Sequence, residues 1–140
     1  MYSLRSIAMV TDIEQFLYLN CSRSFRDRFE KDLLQLYYVI LEKTVKSGAE
    51  SNNVEIPTIE RIFEEYSDHT FFGAIIATLY LPAILVDSKT MKEVTSDPSY
   101  FKNFVLGDRL NFTIDYMNKN ADYKSKIEVA VTELTEMSEL

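Results

Sequence analysis

The chain is poor in almost everything that builds a reaction centre. Its 140 residues hold one cysteine, one histidine, three glycines, three prolines and no tryptophan. A lone Cys21 cannot close an internal disulfide, which points to a reducing compartment or to indifference to redox. Its plainest role is that of a small buried hydrophobe. One cysteine and one histidine, far apart in sequence, cannot supply the clustered ligands of a zinc site. The nearest glycines, Gly48 and Gly73, stand 25 residues apart. A phosphate-cradling loop needs them close together so that the backbone can approach the anion. So few breakers also exclude an all-β domain with its many turns and favour long helices.

What is present is a folding composition. The hydrophobic share is 46% and no long polar tract interrupts it, which predicts an all-α, compact helical bundle over residues 1–140 as a single domain. The net charge is -7. It is unevenly placed, with a balance of +1 through Lys46 and -8 beyond it. An acidic surface repels phosphate backbones and anionic lipid heads, so neither nucleic acid nor membrane is an expected partner. The local exception is Arg23, Arg26, Arg28 and Lys31. It reads either as a solvated helix start or as an anion or partner contact, and charge runs are usually wet faces. The uncharged stretch Phe71 to Val86 counts 16 residues and contains Gly73, Thr78 and Pro82. A bilayer span needs about 20 apolar residues, so a buried core helix is expected, with the rest of the chain covering it. Arg5 and Asp12 bracket too short an apolar run for a signal peptide, and a cytoplasmic protein is expected.

Residues 1–10 show little periodicity and are expected to be an irregular or extended stub. Thr11 and Glu14 have capping-box spacing, which predicts a short helix over about 12–20 with Asp12 at its start, where its charge suits the helix dipole. An acidic pair after an extended run could instead hold magnesium, but the capping box favours the structural role. Ser22 or Ser24 opens the next helix. Its stripe is Phe25, Phe29, Leu33, Leu36, Tyr37, Ile40, Leu41 and Val45, its polar face Arg26, Glu30, Lys31, Glu42 and Lys46, and its stop Gly48. Ala49 to Glu55 read as a polar loop. Pro57 and Thr58 open a third helix with Ile59, Ile62, Phe63 and Tyr66 inward. Asp68 is expected to restart a helix that Pro82 kinks or ends. Thr90 and Glu93 repeat the capping-box spacing. Asp97-Pro98 starts a helix that Gly107 stops, and Asp108 caps the next, with Leu110, Ile114 and Met117 on one side. A last helix covers about 121–137 with the stripe Tyr123, Ile127, Val131 and Leu134.

No catalytic constellation emerges. His69 is the single candidate base for a nucleophilic triad. In Ser67-Asp68-His69-Thr70 it reads more simply as a histidine bonded to its own helix. Glu64, Glu65 and Asp68 lie at helical spacing, but on a solvated acidic face nothing raises a carboxyl pKa for acid catalysis. Asn111-Phe112-Thr113 fits a glycosylation sequon that is inert without a secretory route. The sequence assigns no catalytic residue and no metal ligand.

Three segments, in order, do form a pattern. They are Thr11-Asp12-Ile13-Glu14-Gln15-Phe16-Leu17-Tyr18-Leu19, then Phe29-Glu30-Lys31-Asp32-Leu33-Leu34-Gln35-Leu36-Tyr37-Tyr38, then Phe71-Phe72-Gly73 leading into Leu81-Pro82-Ala83-Ile84-Leu85. Together they resemble the C-terminal part of insect ecdysteroid-kinase-like proteins, also called choline-kinase-like or juvenile-hormone-inducible proteins, which belong with the choline kinases and aminoglycoside phosphotransferases. The resemblance covers about residues 1–118. It implies the helical lobe of a small-molecule kinase that moves the terminal phosphate of ATP to a hydroxyl with magnesium as charge clamp. ATP and magnesium are implied only for a full-length member, and no cofactor for this chain. The family's nucleotide-gripping lysine, phosphate loop and His-x-Asp base have no match here, since the one histidine is followed by Thr70 and Phe71. The metal aspartate of an Asp-Phe-Gln-like motif would fall upstream of Met1. Asp12 matches a later family aspartate that opens a helix. The resemblance implies a substrate-pocket wall, for which Tyr18, Tyr38, Phe71 and Tyr80 are candidates, although aromatic stripes at helical spacing usually pack as core.

The chain is thus expected to be the C-terminal, acceptor-pocket portion of such a phosphotransferase, inactive by itself, whether as a truncated gene model, a partial gene copy or an isoform. Its expected partners are the missing kinase lobe or a second copy, through an exposed apolar face. The alternative is a self-contained helical interaction module with a partner helix docking beside the uncharged helix. An unrelated enzyme complete in these residues is disfavoured by the missing constellations.

Overall fold

The structure, a computed structural model of the chain, describes residues 4–48, 56–107 and 109–139. Among them seven helices and no strand occur, in agreement with the all-α expectation: α1 (Leu4–Asn20), α2 (Arg23–Ser47), α3 (Ile59–Ile84), α4 (Ser88–Ser96), α5 (Pro98–Leu106), α6 (Leu110–Lys119) and α7 (Ala121–Ser138). The polar loop expected over residues 49–55 and the cap expected at position 108 lie outside the described residues.

Helix α1 begins well before the expected cap. The stub expected to be irregular or extended over residues 1–10 is helical from Leu4, and Asp12, expected to cap, lies exposed inside the helix. The reason is packing: Val10 is buried with Leu17, one face and two turns apart, so the packed stripe starts upstream of Thr11. The Ser22 hydroxyl then caps α2, accepting from the Phe25 N–H at 3.2 Å. Gly48 ends α2 in an extended conformation, its N–H bonded to the Val45 carbonyl.

Helix α3 runs unbroken past Asp68, where a restart was expected. Thr58 Oγ1 accepts from the Arg61 N–H at 3.3 Å at its start. Pro82 is tolerated because it lies two residues before the end, where loss of one N–H costs a single terminal hydrogen bond. The Pro82 carbonyl, one of the orphan acceptors of the helix end, receives the Tyr123 hydroxyl at 2.8 Å. Asp87, not Thr90, caps α4, accepting from the N–H groups of Lys89 and Thr90. Asp97 caps α5 ahead of Pro98, and Gly107 ends it, as the sequence predicts. Helix α6 follows Arg109 without a side-chain cap, and Asn120 caps α7.

The chain divides into two compact units, Met1–Gly73 and Ala74–Leu140. Helix α3 contributes to both. Its 26 residues extend about 39 Å, longer than one small core. Ile62 and Tyr66 enter a core with Val10, Leu17 and Leu34. Leu81 and Ala83 pack against a second core of Val86, Val94, Phe104, Tyr116, Tyr123 and Ile127. The second core is built on rings: Phe112 stacks on Tyr116 and meets Phe104 edge-on, and Tyr116 meets Tyr123 edge-on at 4.7 Å. The Tyr116 hydroxyl also donates to the Asp87 carboxylate, tying α6 to the cap of α4.

Several expected faces are turned. In the uncharged stretch Gly73, Ala74 and Ala77 are buried, but Phe71, Phe72, Leu79, Tyr80 and Ile84 are exposed. The small residues face inward because close helix approach selects them, and the large ones are left outside. On α2 Arg26 and Leu34 are buried while Leu36 and Ile40 are exposed. On α6 Tyr116 points inward and Leu110 and Ile114 outward. On α7 Ala130 and Glu133 are buried in place of the expected Val131.

Candidate functional site

The first unit holds a polar cluster inside its apolar core. Helix α1 places Glu14 and Tyr18 on the face that also carries Val10 and Leu17, because all four recur at steps of three and four. Neither Glu14 nor Tyr18 reaches solvent to any useful extent (0% and 5% exposed). Opposite them stands Gly73 of α3. A Cβ there would lie 2.6 Å from the Tyr18 ring and 2.8 Å from Glu14 Cγ, so only glycine fits the contact.

Helix α2 supplies a cation and a second carboxylate. Arg26, 4% exposed, lays its guanidinium 3.9 Å from the Tyr18 ring centre and donates to the Cys21 carbonyl at 2.9 Å. The sequence had placed Arg26 on a solvated face; instead, cation–π contact and a carbonyl accept its charge. The basic cluster is therefore divided: Arg28 lies over the Phe29 ring, and Lys31 borders a cavity. Glu30 accepts from the Tyr66 hydroxyl at 3.4 Å. Burial pushes the Glu30 carboxyl above its usual range, with the Tyr66 hydrogen bond and the charges of Arg26 and Lys31 opposing and Asp27 adding. Burial, then Glu30, Tyr18 and Glu14, push the Tyr66 hydroxyl far above its ordinary value, so it stays a donor.

Glu14 is the most perturbed carboxyl of the cluster. Neither of its oxygens has a hydrogen-bond partner. Burial raises it to about 7, and the Gly73 N–H, close by but not in hydrogen-bond geometry, opposes that rise. Glu65, expected on a solvated face, is 1% exposed and receives Arg61 Nε at 2.9 Å. His69 is occupied locally: its Nδ1–H donates to the Glu65 carbonyl at 2.8 Å.

A cavity of about 380 Å³ opens between α2 and α3, lined by Glu30, Lys31, Leu34, Phe63, Tyr66, Ser67 and Thr70. Leu34, Phe63 and the Tyr66 ring supply apolar wall, and Glu30, Lys31, Ser67 and Thr70 bring polar side chains. That arrangement suits a small apolar body with one hydrogen-bonding tip. None of Tyr18, Tyr38, Phe71 and Tyr80 lines it. Tyr18 is buried under Arg26, Tyr38 is half-buried against the first core, Phe71 is exposed, and Tyr80 belongs to the second unit and is exposed. The signal that marks Glu14 and Glu65 was present in the sequence: each is flanked at helical spacing by residues that pack, Val10 and Leu17 for Glu14, Ile62 for Glu65.

Among the described residues no group of three His, Cys, Asp or Glu side chains fits a metal ion. Among the described residues no single helix is long and apolar enough to cross a membrane. No family model matches the chain, and no curated protein or solved structure matches it.

Proposed function

We propose that the chain is the C-terminal helical, acceptor-side portion of an ATP-dependent small-molecule phosphotransferase of the ecdysteroid-kinase-like type, and that it transfers no phosphoryl group by itself. One observation carries this reading: parts of the three segments that bear the resemblance pack together in the first unit, while Leu81-Pro82-Ala83-Ile84-Leu85 of the third segment lies in the second unit. Glu14 and Tyr18 from the first close on Gly73 from the third, and Leu34 from the second shares a core with Leu17 from the first. A cavity lined by both apolar and polar side chains, Leu34, Phe63 and Tyr66 with Glu30, Ser67 and Thr70, lies in the same unit and suits a hydroxyl-bearing acceptor. The nucleotide, its magnesium and the catalytic base would come from residues this sequence does not contain.

The test has two parts. Sequencing the transcript upstream of the Met1 codon is expected to extend the open frame into a His-x-Asp and an Asp-Phe-Gln-like motif; an in-frame stop directly before Met1 overturns the proposal. Incubating the purified chain with labelled ATP, magnesium and sterol or amine alcohols is expected to give no labelled product, and turnover overturns its inactivity. A second reading, a helical interaction module, draws on the apolar side chains that α2 leaves exposed, Leu36, Val39 and Ile40. It gains if the frame stops and the chain still folds.

A further inference from the structure

We propose that the contact between Glu14 of α1 and Gly73 of α3 is a proton-operated latch, closed while Glu14 carries its proton and loosened when Glu14 ionises. The geometry makes the carboxyl a liability only when charged. It is wholly buried, and neither oxygen meets a hydrogen-bond donor. The approach to Gly73 is too close to admit even a methyl group, so water has no room to enter without moving α1 from α3. A neutral carboxyl is tolerated in such a place, whereas a carboxylate without partners is strongly disfavoured.

The groups facing this contact do not relieve the charge. From α1 comes Tyr18, whose ring is covered by Arg26. From α2 come Arg26, engaged with that ring and the Cys21 carbonyl, and Glu30, of the same sign as Glu14. From α3 come Tyr66, whose hydroxyl donates to Glu30, and, a turn from Gly73, His69 on the Glu65 carbonyl. Glu65 itself is held by Arg61. Burial raises the Glu14 carboxyl from 4.5 to about 7. The sign follows from linkage. The closed form binds the proton more tightly than the open form, so closure is fully favoured below about pH 4.5 and is lost as pH rises towards 7. Release of α1 uncovers Val10, Leu17 and Tyr18, an apolar face sealed in the closed state.

Hydrogen exchange of the α1 amides in the full chain, between pH 5 and 8, tests the latch. After division by the intrinsic base-catalysed rate, the opening constant is expected to rise roughly tenfold per pH unit up to about 7 and then level off. Glu14→Gln is expected to flatten that profile. A flat wild-type profile, or an unchanged slope in Glu14→Gln, overturns the proposal. Should Glu14→Gln fail to fold, carboxyl ¹³C shifts of the wild-type chain decide: a Glu14 midpoint near 7 supports the latch, and a midpoint below 5 overturns it.

Discussion

Gly73 approaches Tyr18 so closely that a Cβ on the glycine would lie 2.6 Å from the tyrosine ring. In an exposed helix, Gly→Ala stabilises by about 1 kcal/mol. Here the added methyl also meets Glu14 Cγ, and overpacking of a filled core costs about 1–3 kcal/mol. Gly73→Ala is therefore expected to lower the urea midpoint. A raised midpoint would mean that Tyr18 yields freely.

Arg26 offers a test of shape against charge. Its planar guanidinium covers the Tyr18 ring and reaches the Cys21 carbonyl. Lysine keeps the charge but cannot do both from one rigid plane. Arg26→Lys is expected to cost about 1–2 kcal/mol by chemical denaturation, and Tyr18→Leu to remove most of the difference between arginine and lysine in a double-mutant cycle.

In the second unit the Tyr123 hydroxyl caps the end of α3 through the Pro82 carbonyl. Tyr123→Phe keeps the ring packing and loses that bond, an expected cost of about 1 kcal/mol. Tyr123→Ala also empties a buried ring site, at about 3–5 kcal/mol. Thermal unfolding of the two variants should separate the hydroxyl from the ring.

Asp87 gives the second unit a pH dependence opposite to that of Glu14. The Tyr116 hydroxyl, then the Thr90 N–H and hydroxyl, then the Lys89 N–H hold its carboxyl well below its ordinary value of 3.8. A depressed carboxyl stabilises fully above its unfolded pKa of 3.8, and that contribution is lost progressively as pH falls below 3.8 towards the lower folded value. Melting temperature measured from pH 5 to 2 is expected to fall more steeply for the wild type than for Asp87→Asn.

The exposed apolar face of α2 makes a prediction about association. Leu36 and Ile40 stand one turn apart and largely in water. Leu36→Glu with Ile40→Lys replaces them by a favourably ordered ion pair worth a few tenths of a kcal/mol. Dye binding and self-association are expected to drop without loss of stability. Unchanged association would move the sticky surface elsewhere.

The helices were legible in the sequence wherever a breaker marked them. Ser22, Gly48, Asp97-Pro98 and Gly107 each sit where a helix starts or stops. Capping boxes misled at Thr11 and Thr90, because a helix extends through a cap signal when the residues before it also pack, as Val10 does. Faces were harder to read than lengths. Periodicity ranks residues by hydrophobicity, but close approach between helices selects small residues, so Gly73, Ala74 and Ala77 took the inside and Phe71, Leu79 and Tyr80 the outside. Charge was the least legible. Arg26, Glu14 and Glu65 were read by type as solvated or capping, although packing neighbours at helical spacing marked the two carboxylates; the approach of Gly73 to Glu14 and Tyr18 is the part that no local window shows.

Helix α3 carries a practical consequence for anyone dividing the chain. The border drawn by packing, between Gly73 and Ala74, falls in mid-helix. Cutting there would strand a turn of amides on one fragment and a turn of carbonyls on the other. Neither half is a clean excision, and a fragment of either unit needs the whole of α3 to keep its own backbone bonded.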